Sequence, residues 1–134
     1  MPSSLSESTV QQIIERARTL ASEQHFAINV AVVDEAGLLR GFLRQDDAVA
    51  GAIDVAIKKA RTAALFRTDS LELGATAHPG GAIYTLEATN GGLISFGGGV
   101  VLRDARAQAI GAVGVAGATV EADQAIALRA AGRA

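Results

Sequence analysis

The sequence predicts an α+β fold, in which helices flank a five-stranded antiparallel sheet. Amphipathic helical patterns lie towards both ends of the chain, and short β-rich runs lie between them. Tight turns separate two pairs of these runs, and strands joined by tight turns must pair antiparallel. With 134 residues the chain suits one domain, which we expect to span residues 1–134.

The first helix is predicted over Thr9–Gln24. Ser8 and Gln11 have the spacing of a capping box, in which the serine caps the helix and the glutamine reaches back to it. Apolar residues recur at helical spacing and make the helix amphipathic. That apolar face consists of Val10, Ile13, Ile14, Ala17, Leu20 and Ala21.

A β-hairpin is predicted next. The run Phe26–Val33 is apolar on both of its alternating sets, which is typical of a strand covered on both faces. Asp34–Gly37 supplies the turn because its glycine tolerates a positive φ. Leu38–Leu43 then returns as the second strand.

The second helix is predicted over Val49–Phe66. Asp54, Lys58 and Arg61 share a narrow polar arc, and the first two form a favourable i,i+4 pair. Lys59 falls outside that arc, beside Ala52, Val55, Ala63 and Phe66. A separate apolar side consists of Val49, Ile53, Ile57, Ala60 and Ala64.

A short third helix and a glycine-rich stretch follow. Thr68–Ser70 is expected to cap a helix over Leu71–Ala75. Ala82–Ala88 is expected to form a helical turn. Three short strands are then predicted over Leu93–Phe96, Val100–Arg103 and Ala109–Val115.

The chain closes with a turn and a helix. Asp104–Ala107 joins the last two predicted strands. Thr119 is expected to cap a final helix that runs to about Ala131. Glu121 lies in its first turn, where the helix dipole favours a negative charge.

Composition predicts self-association and excludes several classes of partner. Hydrophobic residues make up 49% of the chain and charged residues 19%, and so sparse a charge favours a surface hidden in an oligomer. The net charge is −2, with neither a basic stripe nor aromatic platforms, which excludes nucleic-acid binding. No apolar run approaches the roughly 20 residues of a membrane helix. The absence of cysteine suits a reducing cytoplasm, where we place the protein.

Lys59 is the charge that most needs an explanation. A lysine among small apolar residues must extend to solvent, meet a carboxylate or serve a site. One interpretation is a lysine that snorkels or bridges subunits. The other is a ligand anchor or a base with a lowered pKa.

Glu121 and Asp123 are two carboxylates at the start of the final helix. They compensate the helix dipole, or one of them pairs with Lys59 or a ligand. Residues two apart do not share a helix face, so the two carboxylates do not form a dyad.

The remaining polar residues give weaker signals. His25 and His78 show no spacing typical of a metal site, and we predict no metal. His78 precedes Pro79 on a predicted loop and suits either solvent or a ligand. The glycine clusters lack both nucleotide-binding patterns, and Ser95 lacks the elbow of a serine hydrolase.

Taken together, the motifs resemble those of the GlcG/HbpS family. The resemblance covers nearly the whole chain in order, including the hairpin, the lysine-bearing helix and the acidic pair. The matching stretches are Ala31–Gly37, Ala56–Ala64, Pro79–Gly81, Asn90–Gly92, Phe96–Gly99, Gly111–Gly117 and Glu121–Asp123.

The resemblance implies a profilin-like α/β/α sandwich that assembles into rings or octamers. It also implies haem or another tetrapyrrole as the ligand, since the family includes haem-binding proteins and a domain of cobalamin adenosyltransferases. Lys59, Glu121 and Asp123 are the catalytic candidates that it supports. Its ligand-binding candidates are Arg61, Thr62, His78, Asn90, Gly98, Gly99 and Thr119.

Two residues depart from the family pattern. Arg61 stands where tyrosine is common, and Val101 where proline is common. Three functions stay open. The chain is a small-ligand-binding module for haem or another tetrapyrrole, a cofactor-independent enzyme that uses Lys59 and a carboxylate on a small acid or carbonyl compound, or a structural assembly partner. For haem, His25, His78 and Tyr84 are the available axial ligands.

Overall fold

The computed structural model describes residues 5–133. The described residues form four α-helices and four β-strands, and one turn of 3₁₀ helix, Leu86–Ala88, lies in the long connection before the third strand. In chain order the elements are α1 (Glu7–Glu23), β1 (Asn29–Asp34), β2 (Leu39–Arg44), α2 (Gly51–Phe66), α3 (Ser70–Ala77), β3 (Gly99–Arg103), β4 (Ala109–Ala116) and α4 (Val120–Ala130).

The strands form one antiparallel sheet in the order β2-β1-β4-β3. Val30 and Val32 of β1 face a core shared with α1 and α4, whereas Ala31 and Val33 face a core shared with α2. The prediction that this strand is covered on both faces is therefore confirmed. Within residues 5–133, no helix is long and apolar enough to span a membrane.

The N-terminal cap of α1 is Ser6 and not Ser8, so the predicted capping box is wrong. The Ser6 hydroxyl accepts a hydrogen bond of 3.1 Å from the Thr9 amide. Leu5, just before the cap, and Val10, in the second turn, are both buried in the same core. Such an apolar pair across the start of a helix fixes where the chain enters it, which places Ser8 inside the first turn.

The predicted strand over Leu93–Phe96 is absent, and the sheet has four strands instead of five. The Leu93 amide donates to the Glu87 carbonyl oxygen, and the next two amides of this segment donate to side chains. The Ile94 amide donates to the Thr62 hydroxyl over 3.0 Å, and the Ser95 amide donates to the Glu87 carboxylate over 3.0 Å. It is therefore an extended loop fastened to other elements.

Side chains at the start of α3 occupy the outer edge of β3. The Gly99 amide donates to the Ser70 hydroxyl over 2.9 Å, and the Val101 amide donates to Asp69 Oδ1 over 2.9 Å. Arg133 pairs with the same Asp69 oxygen. These groups take the hydrogen bonds that a fifth strand would otherwise make.

Most other boundaries lie within a few residues of their predictions. The first strand begins at Asn29, and α2 begins at Gly51. The third helix extends to Ala77, and the predicted turn over residues 82–88 contains helical geometry at its end alone. Thr119 caps α4 as predicted, accepting a hydrogen bond of 3.0 Å from the Ala122 amide.

The face of α2 that packs on the sheet is the alanine-rich one that contains Lys59. Val49, just before the helix, is 63% exposed, and Ile53 and Ile57 are only half-buried, whereas the alanines of the other face are buried. Small residues allow a close approach between the helix and the strands. A Cβ added to Gly114 of β4 would lie 2.1 Å from the Ala56 carbonyl oxygen.

Gly114→Ala tests this close approach. A methyl group there meets a helix backbone oxygen that cannot move alone, and we expect the free energy of unfolding to fall by about 3 kcal/mol. Urea denaturation measures the loss. Gly51→Ala is the control, because nothing lies within 4 Å of its added Cβ. Equal stability of the two variants would contradict the packing argument.

Candidate functional site

Lys59 makes a buried ion pair across the end of the sheet. Its side chain is 1% exposed, and its ammonium donates to Asp123 Oδ2 over 3.1 Å and to the Val115 carbonyl oxygen over 2.9 Å. Lys59 belongs to α2 and Asp123 to α4, which cover opposite faces of the sheet. The pair therefore joins the two helical layers.

Glycines leave room for this crossing. A Cβ on Gly98 would lie 2.7 Å from the Lys59 ammonium nitrogen, and the residue has a φ of +124°, which side chains rarely adopt. A Cβ on Gly99 would lie 2.2 Å from the Lys59 carbonyl oxygen. Gly98 and Gly99, which were predicted to bind a ligand, therefore lie against Lys59.

Burial opposes both charges of the pair. Desolvation lowers the pKa of Lys59, and the neighbouring Asp123 carboxylate opposes that shift. Desolvation likewise raises the pKa of Asp123, against the effects of Lys59 and of the Ala118 amide, which donates to Asp123 Oδ1 over 3.0 Å. Each charge is stable inside the protein because the other is present.

A surface cavity lies next to the ion pair. The Lys59 ammonium is 5.0 Å from the centroid of the Phe96 ring, and Phe96 is 45% exposed and forms part of the cavity wall. The cavity has a volume of about 450 Å³, and we call it the His78 hollow. Its lining residues are Gly74, Ala77, His78, Pro79, Tyr84, Glu87, Ser95 and Phe96.

Glu87 and His78 supply the polar groups of the His78 hollow. The Glu87 carboxylate accepts hydrogen bonds from the amide and the hydroxyl of Ser95. The His78 Nδ1 lies 2.9 Å from the Pro79 carbonyl oxygen. A carbonyl oxygen can only accept, so Nδ1 is the donor of this hydrogen bond, and Nε2 is the ring nitrogen left for a ligand.

Three further predicted residues fasten the long loop to α2. The buried Thr62 hydroxyl donates to the Lys58 carbonyl oxygen over 2.7 Å while it accepts from Ile94. The Arg61 guanidinium donates to the Asn90 carbonyl oxygen over 3.1 Å. In this structure these contacts position the loop, whose later part forms one wall of the His78 hollow.

The structure separates Glu121 from the other two catalytic candidates. Its side chain is exposed on the first turn of α4, and within residues 5–133 it makes no ion pair or hydrogen bond. Thr119 uses its side chain for the helix cap. The i,i+2 argument is thus confirmed, because Asp123 faces the interior and Glu121 faces solvent.

Sequence reasoning gave no functional role to Glu87, Phe96 or Asp69. Each acts through a partner far along the chain or in a loop, where no periodic pattern marks it. Val101 stands where proline is common in the family, and the structure shows what this valine contributes. Its amide donates a hydrogen bond to Asp69, which a proline could not do.

Comparison with known proteins identifies the family. The family model described as haem degrading protein HbpS-like matches residues 5–132. The chain belongs to this HbpS-like family. The resemblance found in the sequence motifs is therefore confirmed.

The HbpS-like chain is also similar to individual proteins. ORFY of Klebsiella pneumoniae superposes with a TM-score of 0.93 at 32% identity, covering 98% of this chain and 91% of ORFY. PduOC, solved in complex with haem, superposes with a TM-score of 0.90 at 33% identity, covering 96% of this chain and 93% of PduOC.

One curated relative is much longer than the match. The corrinoid adenosyltransferase PduO of Salmonella typhimurium is 35% identical over 128 residues, which cover 94% of this chain and 38% of PduO. The chain therefore spans little more than a third of that relative's length.

The buried pair gives a double-mutant prediction. Lys59→Met or Asp123→Asn leaves one buried charge unpaired, and we expect each to lower the free energy of unfolding by about 3–5 kcal/mol. The double variant should lose less than the sum, because it buries no charge and the asparagine oxygen still accepts from Ala118. Urea denaturation measures all four proteins, and additive losses would contradict the coupling.

The stability lost in Lys59→Met should depend on pH. In Lys59→Met, Asp123 loses its counter-charge, and its pKa lies further above its ordinary value. The folded protein then holds a proton that the unfolded chain releases, so stability falls as pH rises above about 4. The loss relative to wild type should therefore be smaller at about pH 5 than at about pH 8.

Proposed function

We propose that the chain binds haem, or another tetrapyrrole, in the His78 hollow. The observation that carries the proposal is the joint presence of His78, Tyr84 and Phe96 in one cavity. Histidine and tyrosine are both axial ligands of haem iron in proteins. Flat aromatic and apolar walls favour a macrocycle.

The geometry of His78 suits the role of iron ligand. Its Nδ1 donates to the Pro79 carbonyl oxygen, which fixes the ring and leaves Nε2 free. Ligating histidines are commonly held in this way by a hydrogen bond from their other nitrogen. Bound haem would supply iron-centred redox chemistry, while residues of this chain hold and orient it.

The relatives support the same ligand class. PduOC was solved with haem, and the family model carries a haem-degrading description. Arg61 does not oppose the proposal, since its guanidinium donates to Asn90 and does not line the cavity. The other departure, Val101, is fully buried in the sheet.

Lysine-assisted catalysis is the less favoured alternative. The Lys59 ammonium is covered by Phe96 and already donates to Asp123 and the Val115 carbonyl. A substrate would reach it only after the Phe96 ring moved. A ligand can enter the His78 hollow from the surface without any movement of Phe96.

A haemin titration tests the proposal. We expect wild type to show a saturable shift of the Soret band, because a nitrogen ligand reaches the iron. His78→Ala should weaken haemin binding at least about tenfold, the scale of losing one ligand contact. His25→Ala is the matched control, since His25 lies in the exposed turn after α1 and does not line this hollow.

Two results would reject this assignment. A Soret shift lost in His25→Ala but kept in His78→Ala would move the haem to the turn after α1, where His25 lies. Weak binding that is equal in all three proteins would exclude haem as a specific ligand.

We also propose that the chain assembles with itself, as an octamer. Among the described residues, large apolar side chains are widely exposed, with Leu38 at 65%, Val49 at 63% and Leu71 at 51%. Exposed apolar surface of this kind favours association. The alternative role as a structural assembly partner also requires self-association. The cytoplasmic location of the protein stays a prediction.

Light scattering after size-exclusion chromatography measures the assembly. We expect the mass of eight chains of 13.6 kDa at micromolar concentration. Val49→Glu places a charge on the exposed segment just before α2 and should lower the mass if that segment lies in an interface. A wild-type mass of a single chain across the concentration range would reject self-association.

A further inference from the structure

The His78 hollow contains one carboxylate and no compensating cation. Glu87 lines it, and within residues 5–133 no lysine or arginine forms an ion pair with that glutamate. Lys59 lies behind the Phe96 ring, and its charge is paired with Asp123. The other titratable groups in the lining are His78 and Tyr84.

We propose that Glu87 determines the charge selectivity of the hollow, so that it favours a flat ligand with a positively charged centre. The inference rests on the proposed function in placing a tetrapyrrole in this cavity. It goes further by predicting which metal and oxidation state bind best. A trivalent metal leaves one positive charge at the centre of a porphyrin dianion, whereas a divalent metal leaves none.

The position of Glu87 is fixed by its own contacts. Its carboxylate accepts from the amide and hydroxyl of Ser95, and its carbonyl oxygen accepts from the Leu93 amide over 3.0 Å. A charge held in place at the edge of a cavity acts on a ligand more strongly than a mobile surface charge does. The same charge disfavours small carboxylic acids in the hollow.

Two redox-inert porphyrins separate charge from shape. Gallium(III) and zinc(II) protoporphyrin share the same ring and the same side chains, but only the gallium form has a positive centre. Fluorescence titration of each porphyrin, at one fixed pH for all proteins, gives both dissociation constants. Comparing each ligand across variants cancels its intrinsic preference for histidine or tyrosine.

We expect Glu87→Gln to weaken gallium(III) protoporphyrin about fivefold and to change zinc(II) protoporphyrin less than about twofold. Glutamine keeps an oxygen that accepts from Ser95, so the loop stays in place. Glu23→Gln is the control for net charge, because Glu23 belongs to α1 on the opposite face of the sheet. Added salt should reduce the difference between the two metals in wild type.

The outcomes distinguish the two proposals. If both porphyrins bind through His78 but Glu87→Gln changes them equally or not at all, the charge selectivity is wrong and the ligand site stands. If Glu23→Gln weakens gallium(III) protoporphyrin as much as Glu87→Gln does, the loss comes from net charge alone. The charge selectivity of Glu87 is then also wrong. If neither porphyrin binds wild type, the tetrapyrrole site and the selectivity both fail.

Discussion

The buried contact between Lys59 and Asp123 is the constraint on which the rest of the structure depends. It joins helices from opposite faces of the sheet, and it requires both charges to leave water. Such a pair adds little net stability compared with apolar residues, but removing one partner is very costly. We infer that the pair specifies how α2 and α4 lie relative to the sheet end, and that the glycines beside it provide the space it needs.

Small residues are the second part of the same constraint. The lysine can cross only if α2 lies close to β3 and β4, and alanines on the helix with Gly99 and Gly114 on the strands permit that distance. A chain that packs small side chains together needs few aromatic residues in its core, which accounts for a content of 4%. Several of its larger apolar residues consequently lie on the surface, where a ligand or another chain can contact them.

The features that could be predicted from the sequence are those signalled by residues close together in the chain. The doubly covered strand at Val30–Val33 and the cap at Thr119 follow from signals within a few residues, and both are confirmed. Lys59 was anomalous on its helix, but its partner was one of several possibilities, because nothing local links residues 64 positions apart. The fifth strand failed for the same reason, since Asp69 and Ser70 replace it through contacts that span about 30 residues.

The two walls of the His78 hollow differ in how freely they can vary. Phe96 has its carbonyl oxygen bonded to Ser70 and its ring against the Lys59 ammonium, so changes there disturb the contacts that close the sheet. Tyr84 and Glu87 lie on the exposed loop, and their contacts within it leave the sheet untouched. Ligand preference within this fold can therefore change through the loop while the ion pair and its glycines stay constant. A charge such as that of Glu87 is the kind of feature that can be altered at least cost to stability.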